Sequence, residues 1–198
     1  MNYVYKYFPY ISKHLYSKLK IDDIGLFSIS TPKNADTISK IIKKYIKKDN
    51  IFITDAMAGV GGNTLSFANN FYWVNAIELD DIRFNYLVSN IDLYNKLNIV
   101  CVNGDYLKLM KFFYQDVIFL DPPWGGKNYK EMDTMSIIIN DKRLEDICEE
   151  IIDLKLAKMI ILKLPLNYNI ANFNEDIKKK IILEYLPKML VAIILISE

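Results

Sequence analysis

The chain has 198 residues, 52% hydrophobic and 25% charged, enough for one sizeable core and too apolar for an intrinsically disordered chain. Its longest apolar run, Met189 to Ile196, is strand length, and the start, MNYVYKYFPYISKHLY, lacks the apolar stretch of a secretory signal, so no membrane partner is expected. The net charge of +1 is uneven: residues 1–50 hold ten Lys and four Asp, a net +6, and the rest holds 15 Lys and Arg against 20 Asp and Glu, a net −5.

A basic start beside an acidic body suits an anionic partner such as RNA, although KKYIKK (43–48) and KKK (178–180) also read as solvated helix ends. The two cysteines, Cys101 and Cys148, sit in apolar patterns and read as core thiols. With one histidine, His14, and no cysteine pair, no structural zinc site is expected.

In chain order, Ile38, Ile41, Ile42 and Tyr45 give helical spacing over 35–48. IFITDA (51–56) reads as a buried strand, GVGGN (59–63) as a glycine turn and TLSFANNF as a short helix. WVNAIEL (73–79) is a second strand, starting on a Trp73 expected in the core, and 81–94 is a helix. NIVCVNG (98–104) is a third strand, 105–113 a short helix and DVIFLD (116–121) a fourth strand. A helix over 141–155 precedes AKMIILKL (157–164), and a helix near 170–180 precedes IILEYL and MLVAIILIS (189–197), an antiparallel hairpin about Pro187-Lys188. Alternating strands and helices imply a parallel sheet covered on both faces. The expected fold is α/β; with its final hairpin it resembles the Rossmann-like class I S-adenosylmethionine-dependent methyltransferase fold, seven strands with an antiparallel last strand. Residues 1–48 form a small helical extension and 49–198 the catalytic domain.

DAMAGVGGNT (55–64) follows a strand and opens a helix, where backbone N–H groups hold a polar cofactor. It fits neither GxGxxG nor GxxxxGK[ST]; the D-x-x-x-G-x-G-G form suits S-adenosylmethionine. Asp55, Gly59, Gly61 and Asn63 are the candidate cofactor residues of this segment. Glu78, at the end of the second strand, is placed to accept both ribose hydroxyls, or is a strand-end surface acid. Asp105, after the third strand, is placed to accept the adenine amine, or is a helix N-cap, or is both.

IFLDPPWGGKNY (118–129) stops an apolar strand at an acid, two prolines, a tryptophan and two glycines. An exocyclic base amine is a poor nucleophile because its lone pair is delocalised into the ring. Hydrogen bonds from its N–H groups to Asp121 and to the Pro122 carbonyl localise that lone pair and aim it; Pro keeps an acceptor while lacking an N–H. Trp124 supplies a stacking plane. Orientation and proximity do the work, so no metal is expected.

The Asp-Pro-Pro-aromatic run resembles the motif of methyltransferases that modify exocyclic amines of bases. Trp followed by Gly-Gly resembles a narrower family, the trimethylguanosine synthases, which methylate N2 of the 7-methylguanosine cap. DAMAGVGGNT is similar to that family's D-A-F-C-G-V-G-G-N-T, NAIELD to its A-I-D-x-D region, and VIFLDPPWGGKNY to its V-V-F-L-S-P-P-W-G-G-x-x-Y. SKLKIDDIGLFSISTP (17–32) looks like the segment ending G-W-F-S-V-T-P, which helps form both sites, so Thr31 is implied at the cofactor and Ser28 at the substrate. NIDLYN (90–95) resembles N-A-x-x-Y-G, which makes Asn90 the implied base reader, or else a helix residue facing the glycine turn. A cationic 7-methylguanine gains a cation–π term of about 1–2 kcal/mol on the face of Trp124.

There are departures. The family's Ser before Pro-Pro is Asp121, Trp of G-W-F-S is Leu26, and the Arg of L-P-R-N, expected at cap phosphates, is Leu166. Lys163, Lys18, Lys20 or Lys33 is the candidate replacement, each a point charge rather than a bidentate fork. The resemblance implies an intracellular, monomeric enzyme transferring one or two methyls from S-adenosylmethionine to 7-methylguanosine-capped RNA. The compartment, nucleus or cytoplasm, stays open, and is the host cytoplasm for a viral member. The short chain and its Lys-, Ile-, Asn- and Tyr-rich composition suit an AT-rich viral or protist source. Two alternatives stand beside this: guanine-N2 or adenine-N6 methylation of uncapped RNA or DNA, and an inactive module that only binds caps.

Overall fold

The structure, a computed structural model, describes residues 3–126, 129 and 131–196. Lys127 and Asn128 of the GGKNY segment, and Ser197 of the last expected strand, lie outside the described residues. The chain divides into two compact units, Met1–Phe113 and Tyr114–Glu198.

The first unit opens with two 3-10 turns, Tyr3–Tyr7 and Lys13–Lys18, and helices α1 (Asp23–Ser28) and α2 (Pro32–Tyr45). The short α1 is absent from the sequence expectation; Asp22 caps it by accepting from the Gly25 N–H at 2.8 Å. Helix α2 starts three residues before the apolar spacing suggests. Thr31 caps it by accepting from the Asn34 N–H at 3.4 Å, and Pro32 follows where its missing N–H leaves nothing unpaired.

Strands β1 (Phe52–Asp55), β2 (Trp73–Glu78) and β3 (Ile99–Asn103) run parallel. Helix α3 (Gly62–Asn70) lies between the first two in sequence and α4 (Asp81–Leu93) between the last two. Helix α5 (Tyr106–Leu109) closes the unit with a 3-10 turn, Met110–Phe112. The extension is bound into this unit: Phe8, Ile11 and Leu19 are buried in one cluster with Ala58 and Val60 of the glycine turn and Leu87 and Ile91 of α4. Each of the larger side chains among them contributes roughly 1.5–3 kcal/mol over its exposed state. Trp73, expected in the core, starts β2 half-buried and donates through Nε1 to Asn75 Oδ1 at 3.2 Å.

The second unit holds β4 (Val117–Leu120), a small hairpin of β5 (Ile138–Ile139) and β6 (Lys142–Arg143), α6 (Leu144–Asp153), β7 (Met159–Leu164), α7 (Ile170–Asp176), β8 (Lys180–Leu186) and β9 (Met189–Leu195). Strand β4 is parallel to β7, with Leu120 opposite Leu162, and β9 is antiparallel to both β7 and β8. The seven-stranded sheet has the order β3-β2-β1-β4-β7-β9-β8. It is the expected mostly parallel sheet with a reversed last strand. Helix α6 begins later than predicted because Asn140 and Asp141 take φ of 49° and 62°, the left-handed pair of a two-residue hairpin turn between β5 and β6. Helix α7 stops at Asp176 because the chain joins β8 from Lys180.

Both thiols are free. Cys148 is fully buried, and Cys101 is half-buried, with burial and then Asp92 and Asp55 pushing its pKa up to about 11. Among the described residues, no helix is long and apolar enough to cross a membrane.

Candidate functional site

In the first unit, β1 ends at Asp55, which is 1% exposed and accepts through Oδ2 from the Thr64 hydroxyl at 2.6 Å. That bond fixes the start of α3 against the strand end. Between them, Gly59 and Gly61 take φ of 56° and 99°, which an L side chain adopts only under strain. A Cβ on Gly59 would meet nothing within 4 Å, so this backbone stands open. Gly62 has the opposite reason: its Cβ would lie 2.6 Å from Ile29 Cγ1 and 3.1 Å from the Ser30 carbonyl, so only glycine lets the extension cross the start of α3. Two buried polar atoms near this turn, Ser30 Oγ and Asn63 Oδ1, have no hydrogen-bond partner among the described residues. An open glycine cradle with orphaned polar atoms fits a polar ligand.

Glu78, 7% exposed, completes the turn. Its Oε2 accepts from the Gly59 N–H at 2.8 Å and its Oε1 from the Asp80 N–H at 2.9 Å. Arg83 supports it, with Nε 3.5 Å from Glu78 Oε1, Nη2 3.4 Å from Asp80 Oδ2 and Nη1 3.4 Å from Asp22 Oδ2. Arg83 thereby joins the cap of α1 to the end of β2. It went unread in the sequence; its signal is that it is one of two arginines in a lysine-rich chain. Asp105 caps α5, with Oδ1 accepting from the Leu107 N–H at 3.0 Å and Oδ2 4.0 Å from Lys108 Nζ. It occupies the N-cap alternative.

Three substrate or cofactor candidates of this unit have other geometry. Asn90 is fully buried. Its Oδ1 accepts from the Lys20 N–H at 2.9 Å, and its Nδ2 donates to the carbonyls of Lys20 at 2.8 Å and Val60 at 2.9 Å. Both amide protons are used on backbone, the geometry of the alternative in which Asn90 is a helix residue facing the glycine turn: Asn90 ties the extension to that turn. Ser28 donates to the Ile24 carbonyl at 3.0 Å, within α1. Thr31 is exposed at the cap of α2.

In the second unit, β4 ends beside the end of β7. Because Leu120 pairs with Leu162, the next residues, Asp121 and Lys163, stand side by side. Lys163 Nζ donates to Asp121 Oδ2 at 2.6 Å, with the two side chains 5% and 15% exposed. Burial pushes the Asp121 carboxyl above its ordinary value, and the Lys163 ammonium pulls it back. Of the four lysines offered for the cap phosphates, Lys163 has its ammonium buried against a carboxylate. Leu166, at the family's Arg position, is 52% exposed.

Trp124 is half-buried. Its Nε1 donates to the Lys163 carbonyl at 3.2 Å, Lys163 Nζ lies 5.4 Å from its ring centroid, and Tyr129 meets it edge-on at 5.3 Å and 79°. Pro122 is buried, while Gly125 and Gly126 take φ of 78° and 81° with nothing among the described residues within 4 Å of a Cβ. Asn167 steadies the same loop, its Nδ2 donating to the carbonyls of Tyr129 at 2.8 Å and Met132 at 2.7 Å. It was visible in the sequence only as the last residue of LPLN (164–167). The arrangement presents an acceptor acid and a fixed aromatic plane, suited to hold an aromatic amine. Among the described residues, no group of three or more His, Cys, Asp or Glu is placed to hold a metal.

A family model described as RNA cap guanine-N2 methyltransferase matches residues 50–192. The chain belongs to that family. A protein of Acanthamoeba polyphaga mimivirus is 33% identical over 212 residues, covering 94% of this chain and 83% of its own. The trimethylguanosine synthase of Schizosaccharomyces pombe is 31% identical over 116 residues, covering 55% of this chain and 47% of that protein. Among solved structures, an rRNA methylase from Streptococcus thermophilus superposes with a TM-score of 0.60 at 12% identity, covering 85% of this chain and 99% of its own. That likeness shows a shared methyltransferase fold.

Proposed function

We propose that this enzyme transfers a methyl group from S-adenosylmethionine to the exocyclic N2 of 7-methylguanosine in an RNA 5′ cap. The observation that carries the reading is Trp124, locked by its N–H to the Lys163 carbonyl and standing next to the acid of an Asp-Pro-Pro turn. A cationic purine stacks on an indole more strongly than a neutral one.

The residues of the first unit fit the cofactor. Gly59 leaves backbone open to it, Asn63 offers an orphaned carbonyl oxygen, and Glu78 has lone pairs beyond those given to Gly59 and Asp80. Asp55 holds the turn in shape, Asp105 stands at the third strand, and Thr31 closes the extension nearby in sequence. S-adenosylmethionine supplies, when bound, an electrophilic methyl on a sulfonium.

The remaining chemistry belongs to the acceptor residues. Asp121 Oδ2 is taken by Lys163, which leaves Oδ1 to accept from the base amine. The Pro122 carbonyl takes the second N–H. Both bonds draw the lone pair out of conjugation and fix its direction, and Trp124 fixes the plane of the ring. Asp121 as an anion also receives the proton the amine sheds.

Incubation with labelled S-adenosylmethionine and m7GTP, GTP or adenosine, with mass analysis of the product, tests the reading and counts the methyls. Turnover of m7GTP with no turnover of GTP is expected; equal turnover of both defeats the cap assignment. A second reading, guanine-N2 or adenine-N6 methylation of uncapped nucleic acid, is favoured by one observation: Asp121 stands where the cap family has Ser, the form shared by general base-amine methyltransferases.

A further inference from the structure

We propose that Lys163 is the positioning residue of the acceptor site: its ammonium holds Asp121 and its carbonyl holds Trp124, so that acid and aromatic plane are set as one unit. The proposal rests on the reading of Asp121 and Trp124 as acceptor residues. Three contacts of a single residue carry it: Nζ to Asp121 Oδ2 at 2.6 Å, Nζ over the Trp124 ring at 5.4 Å, and the carbonyl to Trp124 Nε1 at 3.2 Å.

The Lys163 side chain is 5% exposed, so it is poorly placed as a solvent-facing phosphate contact. A buried ammonium persists when a carboxylate compensates it, and a buried carboxylate needs the same. The two residues therefore account for each other. Asp121 departs from the family's Ser, and Lys163 is the group that makes an anion tolerable there. The ammonium also lies over one face of the indole, 5.4 Å from its centroid, so a base stacked on Trp124 takes the opposite face. A cationic purine on that face meets the carboxylate and ammonium as a compensated pair rather than a bare cation. Lys163, from β7, is the charged side chain bonded to Asp121, and Tyr129 is the titratable group against Trp124.

The test is a double-mutant cycle with a readout independent of substrate. K163M is expected to lower kcat by about 100-fold, the scale for misplacing a positioned group, with S-adenosylmethionine affinity unchanged. K163R, which keeps the charge, restores part of that loss. D121S also lowers kcat, and D121S/K163M is no worse than D121S, because the second change removes an ammonium that has already lost its partner. Where K163M alone fails to fold, D121S/K163M against D121S carries the comparison. In a Trp73→Phe background, Trp124 emission followed against pH reports Asp121, and K163M moves the midpoint to higher pH. Unchanged kcat in K163M, strictly multiplying losses in the double variant, or an unmoved midpoint each overturns the proposal. If the wild type methylates no base amine, the functional reading fails, while the emission titration still decides the Lys163–Asp121 unit.

Discussion

Replacing Asn90 separates a reader of the base from a brace of the fold. Its amide makes three hydrogen bonds to backbone, one from the Lys20 N–H and two to the carbonyls of Lys20 and Val60. Asn90→Ala removes all three and leaves part-buried backbone groups without partners. At roughly 0.5–1.5 kcal/mol net for each bond, the loss is about 3 kcal/mol. For a chain of this length, that lowers Tm by roughly 6–12 °C. Asn90→Asp is the sharper change. It keeps the acceptor for Lys20 N–H and sets carboxylate oxygen against two carbonyls, so it destabilises at least as much as Ala despite its near-identical shape. Urea unfolding gives the stability of both variants, and calorimetric titration gives their affinity for S-adenosylmethionine and m7GTP. Because Val60 lies within the glycine turn, cofactor affinity should fall alongside stability. Wild-type stability with a selective loss of m7GTP binding refutes the bracing argument and returns Asn90 to the base.

Trp124→Ala should lose about 2–3 kcal/mol of m7GTP binding, roughly 30–150-fold, from stacking and the cation–π term, with S-adenosylmethionine affinity retained in the same titration. Trp124→Phe keeps an aromatic face and loses the bond to the Lys163 carbonyl, so its affinity should fall between the two. Gly62→Ala sets a Cβ 3.1 Å from the Ser30 carbonyl, a backbone atom; it should cost about 1–3 kcal/mol in unfolding experiments and raise the KM for the cofactor. Burial raises the Asp121 pKa, and the protonated acid donates where the reaction needs an acceptor. Activity should therefore fall as pH is lowered through a value above the ordinary 3.8 of an aspartate, and that acid limb should vanish from the residual activity of D121S.

The sheet was legible because its signals are local. Each strand is a short apolar run bounded by turn residues, and the hairpin of β8 and β9 announces itself by Pro187-Lys188 between two β-rich stretches. Short elements were not: α1 depends on one cap from Asp22, and the β5–β6 hairpin on left-handed Asn140 and Asp141, which lack the glycine that usually marks such a turn. The candidate site residues at strand ends were proposed because ligands of open α/β sheets gather at the carboxyl ends of strands. Asn90, implied by resemblance at the base or else facing the glycine turn, and Lys163, one of four lysines offered for the phosphates, both make polar bonds inside the protein.

Their true partners lie far away in sequence, 70 residues for Asn90 and Lys20 and 42 for Lys163 and Asp121, a separation that composition and periodicity do not register. Strand register does. Once β4 and β7 are paired with Leu120 against Leu162, Asp121 and Lys163 must meet, and a charge at the end of each strand becomes a pair rather than two independent ligands. Long-range polar bonds of this kind hold the candidate site in shape: Asn90 fixes the glycine turn, Arg83 ties Asp22 to the end of β2, Asn167 fixes the aromatic loop and Lys163 fixes Asp121. The residues proposed to touch ligand sit at strand ends, in glycine turns and at helix caps. Those that hold them lie within helix or strand, or just beyond a strand end, where a polar side chain has reason to be buried only if it has such a partner.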